Sequence, residues 1–238
     1  MKLTNKICVI VGGASDLATA TGKKIIEEGG TLVLIHHNQP SLDRVLPAYP
    51  ELIETFIADV RNSQQLQKAF EAVVKLHGRV DIMINCAGIS NHKPIDKLSE
   101  EDWQTVIDVN LTGAFNVCKV VVPLMKEANS GRIINIASLG GRTGRPGVGV
   151  NYAASKAGMI GLTQTLAMEL APDELRVHGE VEDAPLEADG VGEHGDRARF
   201  EACEHGRTSP GCCKMSARQG RSKDCLRRQG GGVEYRPC

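Results

Sequence analysis

Residues 7–18 read ICVIVGGASDLA, an unbroken apolar run followed by two glycines and then by residues that suit the start of a helix. An apolar run of that length predicts a buried strand, and the glycines predict a tight turn after it. A strand, a glycine turn and a helix in this order leave free backbone N–H groups at the helix N-terminus, where a pyrophosphate can bind. Taken alone, the stretch fits a plain tight turn equally well.

The same alternation continues to about residue 177. Short apolar runs at 7–11, 31–35, 55–58, 80–85 and 132–137 alternate with segments of helical apolar spacing at 17–28, 63–76, 100–108, 111–127 and 152–171. Continuous apolar strands separated by helices indicate a parallel sheet that is covered on both faces. With right-handed crossovers, the sequence predicts an α/β fold with a doubly wound, Rossmann-like parallel sheet.

The last part of the chain has a different character. Residues 179–238 contain no isoleucine and are rich in Gly, Arg, Glu and Cys, so they bury too little apolar surface to offset the entropy of ordering them. We therefore predict a dinucleotide-binding and catalytic domain at 1–177 and an atypical, disordered tail at 178–238. A zinc-binding tail is the alternative, but matched C-x-x-C pairs are absent and no metal site is predicted. Its candidate ligands are Cys203, His205, Cys212, Cys213 and Cys225.

The charges of the chain are nearly balanced, with 28 Lys and Arg against 29 Asp and Glu. This balance provides no general attraction to nucleic acid or to a membrane surface, and no run approaches the ~20 apolar residues of a membrane span. The run at 7–11 leads directly into glycine, so we interpret it as a strand rather than a secretion signal. Cys8, Cys86 and Cys118 are isolated in apolar settings and are interpreted as buried thiols. We expect a cytoplasmic protein.

Four further motifs follow one another along the chain: residues 85–88 (NCAG), Asn110, Ser138 and residues 152–158 (YAASKAG). In this order and spacing, over residues 1 to about 177, they resemble the short-chain dehydrogenase/reductase family in its single-domain form. The stretch from Asn110 to Ala171 is most similar to the bacterial 3-oxoacyl-carrier-protein reductases of that family and to related polyol or steroid dehydrogenases. The resemblance implies an NAD(P)-dependent oxidoreductase that transfers a hydride between a nicotinamide cofactor and a carbonyl or alcohol substrate.

The resemblance also implies roles for four residues. Tyr152 matches the general acid/base of the family, Lys156 its partner, Ser138 the substrate-orienting hydroxyl and Asn110 the proton-relay residue. The chemistry agrees, since residues four apart on a helix share one face and a nearby ammonium lowers the pKa of a phenol from ~10. An ordinary half-buried tyrosine at a helix start is the alternative interpretation of Tyr152.

Cofactor-binding residues follow from the same resemblance. They are Gly12, Ser15, Asp16 and Leu17 in the first turn, Asp59 and Val60 after the third strand, Asn85, Ala87 and Gly88 after the fourth, and Tyr152 and Lys156. Asp59 has a second interpretation, as the residue that caps the helix beginning near Ser63.

The choice of cofactor depends on the end of the second strand, where NAD-dependent enzymes usually place an acidic residue. This sequence has His36 and His37 there. No carboxylate repels a 2′-phosphate at this position, and an imidazolium can pair with one. The sequence therefore favours NADP(H) and leaves NAD(H) open.

The sequence departs from the family in two places. Asp16 and Ala18 stand where the turn of the family has its second and third glycines. A carboxylate near bound phosphates repels them, which predicts weaker cofactor binding unless Asp16 caps its own helix and turns outward. After Val177, the Pro-Gly turn, the substrate lid and the final helix and strand of the family are not recognisable, so we expect an altered reading frame or a divergent tail.

These departures leave a second function open, that of a non-catalytic or crippled Rossmann-fold binding protein. Against it stands the complete set of Ser138, Tyr152, Lys156 and Asn110. The helical segments 111–127 and 152–171 resemble those that pair between subunits in the family. The resemblance therefore implies a homodimer or a homotetramer that acts on a small-molecule carbonyl or alcohol.

Overall fold

The computed structural model describes residues 1–49, 54–173, 175–182 and 199–200. Its strands are β1 (Ile7–Val11), β2 (Thr31–His36), β3 (Glu54–Ile57), β4 (Ile82–Asn85), β5 (Arg132–Ser138), β6 (Arg176–Glu182) and β7 (Arg199–Phe200). Its α-helices are α1 (Asp16–Glu27), α2 (Gln39–Val45), α3 (Ser63–His77), α4 (Glu100–Ile107), α5 (Gly113–Glu127) and α6 (Val150–Leu170).

The strands form one sheet in the order β3-β2-β1-β4-β5-β6-β7. Strands β1 to β6 are parallel, and β7 is antiparallel to β6. The strand order reverses between β1 and β4, because the chain first proceeds outward through β2 and β3 and then returns to the other side of β1. Such a reversal opens a crevice at the carboxyl ends of the strands, where α/β proteins bind ligands. The predicted doubly wound parallel sheet is confirmed.

Both faces of the sheet are covered, which explains the unbroken apolar runs. Every residue of β1 is buried. Val9 and Val11 belong to a core cluster that includes Phe70 of α3, whereas Cys8 and Ile10 belong to a second cluster with side chains of α1 and α2. Each large apolar side chain buried in these layers stabilises the fold by about 2 kcal/mol.

The predicted helices at 100–108 and 111–127 are one continuous helical stretch. Asp108–Thr112 form a π-helical turn between α4 and α5, and such turns often occur at functional sites. By length and composition alone, Glu100–Glu127 is able to cross a membrane. Val106, Val117 and Val121 of this stretch are fully buried within the protein.

Strand β6 extends five residues beyond 177, where the sequence predicts the end of the folded domain. It continues to Glu182 because its backbone pairs with β5 along the whole of that strand, from Arg132 opposite Arg176 to Ser138 opposite Glu182. Backbone pairing does not require apolar side chains, so apolar spacing carries no signal for it. Most of the predicted tail, with its five candidate zinc ligands, lies outside the described residues. Within the described ranges, no three His, Cys, Asp or Glu side chains form a group that could hold a metal ion.

Candidate active site

A groove of about 330 Å³ lies at the carboxyl ends of the first four strands. Eight of the predicted cofactor-binding residues line it: Gly12, Ser15, His36, His37, Asp59, Val60, Ala87 and Gly88. Five others lie outside the lining: Asp16, Leu17, Asn85, Tyr152 and Lys156. The groove therefore occupies the crevice that the reversal of strand order creates.

Gly12 brings the turn after β1 into direct contact with the end of β4. Its φ is +80°, and a Cβ atom at this position would lie 2.5 Å from the backbone N of Ala87. Any other residue would be strained and would collide with that backbone. The side-chain Oδ1 of Asn85 accepts the N–H of Ala87 at 3.1 Å, so Asn85 shapes the wall of the groove from a buried position.

His36 lies at the end of β2 as predicted, but its charge differs from the prediction. Burial, with the neighbouring charges of His37 and Arg44, lowers the pKa of His36 to about 4. Its imidazole is therefore neutral at neutral pH and is not the imidazolium that the sequence suggests. Its Nδ1 atom is buried and has no hydrogen-bond partner among the described residues. This buried nitrogen beside the groove is a polar atom that a bound ligand could satisfy.

Arg44 supplies the permanent positive charge at this end of the groove. It reaches the lining from α2, and its Nη2 donates to the backbone carbonyl of Ala14 at 3.4 Å. The sequence analysis missed Arg44 because it lies on a helix that apolar spacing did not predict. The one sequence feature that could have indicated Arg44 is its position, eight residues after His36.

Asp59 lines the groove in a bidentate ion pair with Arg61. The Nη2 atom of Arg61 lies 2.6 Å from Oδ2, and its Nε lies 3.0 Å from Oδ1. These hydrogen bonds lower the pKa of the Asp59 carboxyl, which is therefore ionised and neutralised in place. The alternative interpretation of Asp59 as a helix cap is wrong, because Asn62 caps α3 by accepting the N–H groups of Gln64 and Gln65.

A cluster of polar side chains adjoins the groove at Gly88. A Cβ atom on Gly88 would lie 3.4 Å from Oδ1 of Asn110 and 3.5 Å from Nζ of Lys156. Lys156 is only 5% exposed, and its ammonium donates to the carbonyl of Ile136 at 2.7 Å and lies 5.7 Å from the centre of the Tyr152 ring. The structure therefore brings Asn110, Lys156 and Tyr152, which the sequence separates by up to 46 positions, to one end of the groove.

Asn110 is fully buried and makes three hydrogen bonds. Its Oδ1 accepts the N–H of Ile89 at 2.8 Å, and its Nδ2 donates to the Ile89 carbonyl and to Oγ of Ser155. Ser155 in turn donates to the carbonyl of Tyr152 at 2.7 Å. Ser155 is a site residue that the sequence analysis missed, although it lies inside the motif at 152–158.

Ser138 ends β5 and is nearly buried, at 8% exposure. Its Oγ accepts the N–H of Gly140 at 3.2 Å. The turn that follows packs directly on α6, since a Cβ atom on Gly141 would lie 2.6 Å from the carbonyl carbon of Lys156. This contact holds the end of β5 against the helix that carries Tyr152 and Lys156.

Comparison with known proteins agrees with this geometry. The family model described as short chain dehydrogenase matches residues 6–181. The chain belongs to the short-chain dehydrogenase family. It is 40% identical over 181 residues to a 3-oxoacyl-(acyl-carrier-protein) reductase of Thermotoga maritima, a match that covers 75% of this chain and 73% of that protein. It is 33% identical over 183 residues to a 3alpha-hydroxysteroid dehydrogenase of Mediterraneibacter gnavus, with 75% and 73% covered.

Solved structures show the same likeness. An NAD+-bound xylitol dehydrogenase superposes with a TM-score of 0.72 at 31% identity, covering 75% of this chain and 70% of that one. A levodione reductase superposes with a TM-score of 0.71 at 31% identity, covering 74% and 70%. This short-chain dehydrogenase is therefore an oxidoreductase that uses a nicotinamide cofactor and acts on a small-molecule substrate.

Asp16 is the exposed first residue of α1 in this short-chain dehydrogenase. Ser15, and not Asp16, caps the helix, because its Oγ accepts the N–H of Ala18 at 3.2 Å. The carboxylate still lies in the first turn of the helix, whose free N–H groups are suited to a pyrophosphate.

We expect Asp16→Gly to tighten NADPH binding severalfold, measured by NADPH fluorescence. Asp16→Asn, which removes only the charge, should give most of this gain, and salt should reduce it. Unchanged affinity in both variants would contradict the repulsion argument.

Proposed function

We propose that this short-chain dehydrogenase transfers a hydride between NADP(H) and a carbonyl/alcohol substrate, with Tyr152 as the general acid/base. The observation that supports this most strongly is the cluster of buried Asn110 and Lys156 and half-buried Tyr152 beside Gly88, at the end of a groove suited to a dinucleotide. Gly12 lets the turn after β1 pack on the backbone at Ala87, which shapes the groove, and the buried nitrogen of His36 offers a ligand a hydrogen-bond partner. When bound, the nicotinamide supplies or accepts the hydride.

The protein residues handle the proton. In reduction, the hydroxyl of Tyr152 donates its proton to the carbonyl oxygen of the substrate, and in oxidation the phenolate accepts the proton of the alcohol. The Lys156 ammonium near the ring stabilises the phenolate by its charge. Ser138 orients the reacting oxygen by a hydrogen bond. Asn110 holds the loop after β4 through its hydrogen bonds with Ile89 and takes the proton-relay role that the family resemblance implies.

We propose NADP(H) rather than NAD(H) because of the charges near the end of β2. Arg44 provides a permanent charge there, and the pairing of Arg61 with Asp59 removes the repulsion that a free carboxylate would exert on a phosphate. His36 contributes as a neutral hydrogen-bonding group. A guanidinium is well suited to a 2′-phosphate because it can form two parallel hydrogen bonds with it.

The direct test is turnover. The full chain is mixed with NADPH, the fluorescence change is recorded, and a panel of 3-oxoacyl thioesters, oxosteroids and small ketones is then added. We expect consumption of NADPH on at least one carbonyl and slower consumption of NADH. The panel follows the relatives, which include a 3-oxoacyl-(acyl-carrier-protein) reductase, a 3alpha-hydroxysteroid dehydrogenase and a xylitol dehydrogenase. NADPH binding without turnover on any substrate would favour a non-catalytic binding protein instead.

We also propose that the chain forms a homodimer through α5 and α6. Phe115 on α5 is 48% exposed and Met168 on α6 is 80% exposed, as expected of helix faces that a second copy would cover. Sedimentation equilibrium of the full chain measures the mass of the particle in solution, which should be twice that of one chain. We propose a cytoplasmic location as well, because Cys8 and Cys118 are buried free thiols, as in a reducing compartment.

A further inference from the structure

The first turn of α6 lacks an ordinary cap. Its N-cap residue is Gly149, which has no side chain to accept the free N–H groups there. Asn151 performs this function from inside the turn, because its Oδ1 accepts the N–H of Tyr152 at 2.8 Å. Asn151 is 0% exposed, and a Cβ atom on Gly149 would lie only 2.7 Å from its Oδ1. The Asn151 side chain is thus hydrogen-bonded directly to the backbone of Tyr152.

The nitrogen of the same amide is hydrogen-bonded to α4. Nδ2 of Asn151 donates to the backbone carbonyl of Asp102 at 3.2 Å. The Asp102 carboxylate accepts the N–H and the hydroxyl of Ser99, the ammonium of Lys93 at 2.6 Å and the Nδ2 of Asn91 at 2.8 Å. Lys93 and Ser99 hold the pKa of Asp102 well below its usual range, so the carboxylate remains ionised.

These bonds join three parts of the site. The loop at 86–94, which follows β4, is held by Asn110 at Ile89 and by Asp102 at Asn91 and Lys93. Asn151 then joins Asp102 to the first turn of α6. The loop that lines the groove and the helix that carries Tyr152 are therefore joined through Asp102 by one set of hydrogen bonds, of which the Asn151 amide is the buried part.

We propose that Asn151 is a positioning residue that, together with Asp102, fixes Tyr152 relative to the loop at 86–94. This inference rests on the proposed role of Tyr152 as general acid/base. Asn151 itself does not contact the reacting atoms; it acts through Tyr152. Misplacement of a reacting group by about 1 Å can lower a rate about 100-fold, so loss of this amide should affect catalysis more than binding.

Asn151→Ala in the full chain tests the proposal. We expect kcat to fall about tenfold or more at saturating NADPH, while the KM for NADPH changes less than about twofold. Tyr152 should also ionise at a higher pH, because its phenol is no longer held beside the Lys156 ammonium. The ultraviolet absorbance of phenolate, taken as the difference from Tyr152→Phe, reports this ionisation without any substrate. The subtraction also removes the titrations of Tyr49 and Tyr235, which both variants retain.

Asn62→Ala is the matched control, since it removes the N-cap of α3, which accepts two N–H groups. We expect it to lower Tm by roughly 2–4 °C and to leave kcat and the phenol titration unchanged.

If Asn151→Ala fails to fold, Asn151→Ser takes its place. The serine hydroxyl can still accept an N–H in a first helical turn but is too short to reach Asp102, so kcat should lie between wild type and the alanine variant. Failure of both variants to fold would assign Asn151 a structural role alone and overturn the proposal.

The two possible failures are distinguishable. Full turnover in Tyr152→Phe would refute the role of Tyr152 and this inference with it. Inactive Tyr152→Phe, together with wild-type kcat and phenol titration in Asn151→Ala, would overturn the positioning role only.

Discussion

Replacement of Tyr152 by phenylalanine is expected to lower kcat about 100- to 10,000-fold, the range that a positioned general acid/base contributes. Only the hydroxyl is lost. The ring that lies 5.7 Å from the Lys156 ammonium remains, and so does the backbone N–H that Asn151 accepts. NADPH affinity and the free energy of unfolding should therefore stay close to wild type. The rate of NADPH oxidation on the best carbonyl of the panel and the NADPH fluorescence titration measure the two effects separately.

Tyr49→Phe is the control for loss of a tyrosine hydroxyl. Tyr49 is 5% exposed, and its hydroxyl donates to the carbonyls of Ala18 and Thr19 at 3.5 and 3.4 Å. This change should lower the free energy of unfolding by about 1 kcal/mol and leave kcat unchanged. A Tyr152→Phe variant that keeps kcat within about threefold of wild type would exclude Tyr152 as the acid/base.

The sheet was predictable because burial on both faces forces each central strand to be apolar throughout. Strand β1 is buried at every position and was predicted with its observed bounds, 7–11. Apolar spacing did not predict the elements that bury few side chains. Helix α2 is short and begins with a proline at its second position, with only Leu42 and Val45 buried. Its apolar spacing is therefore too brief to recognise.

The positions of the site residues were predictable from the order and spacing of the motifs, but their charges were not. Burial, with the nearby charges of His37 and Arg44, keeps the imidazole of His36 neutral, and Arg44 lies on α2, a helix that apolar spacing did not predict. Asp59 could be interpreted as a cap or as a groove residue. The structure decides between these interpretations, because Asp59 pairs with Arg61 and Asn62 caps α3. The electrostatics of the cofactor groove thus depend on tertiary contacts that no motif records.

Arg44→Glu should reverse the preference for cofactor. Loss of a charge-assisted hydrogen bond costs about 1.5–3 kcal/mol, which corresponds to about a 10- to 100-fold weaker Kd for NADPH. The glutamate also places a carboxylate near the end of β2, where NAD-dependent enzymes use one to bind the ribose hydroxyls. NADH binding should therefore be unchanged or tighter. The ratio of kcat/KM for NADPH to that for NADH, measured on one carbonyl substrate, reports the change directly.

Lys23→Glu is the control for the change in net charge, because Lys23 is exposed on α1 and lies outside the lining of the groove. It alters the overall charge by the same amount, so it should leave the cofactor ratio within about twofold of wild type if the effect of Arg44 is local. An equal shift in both variants would mean that the general charge of the protein, and not a specific contact, sets the preference. An unchanged ratio in Arg44→Glu would remove Arg44 from the recognition of the 2′-phosphate. The groove would then have to select its cofactor through the neutral His36 and the exposed His37, which together carry no permanent charge.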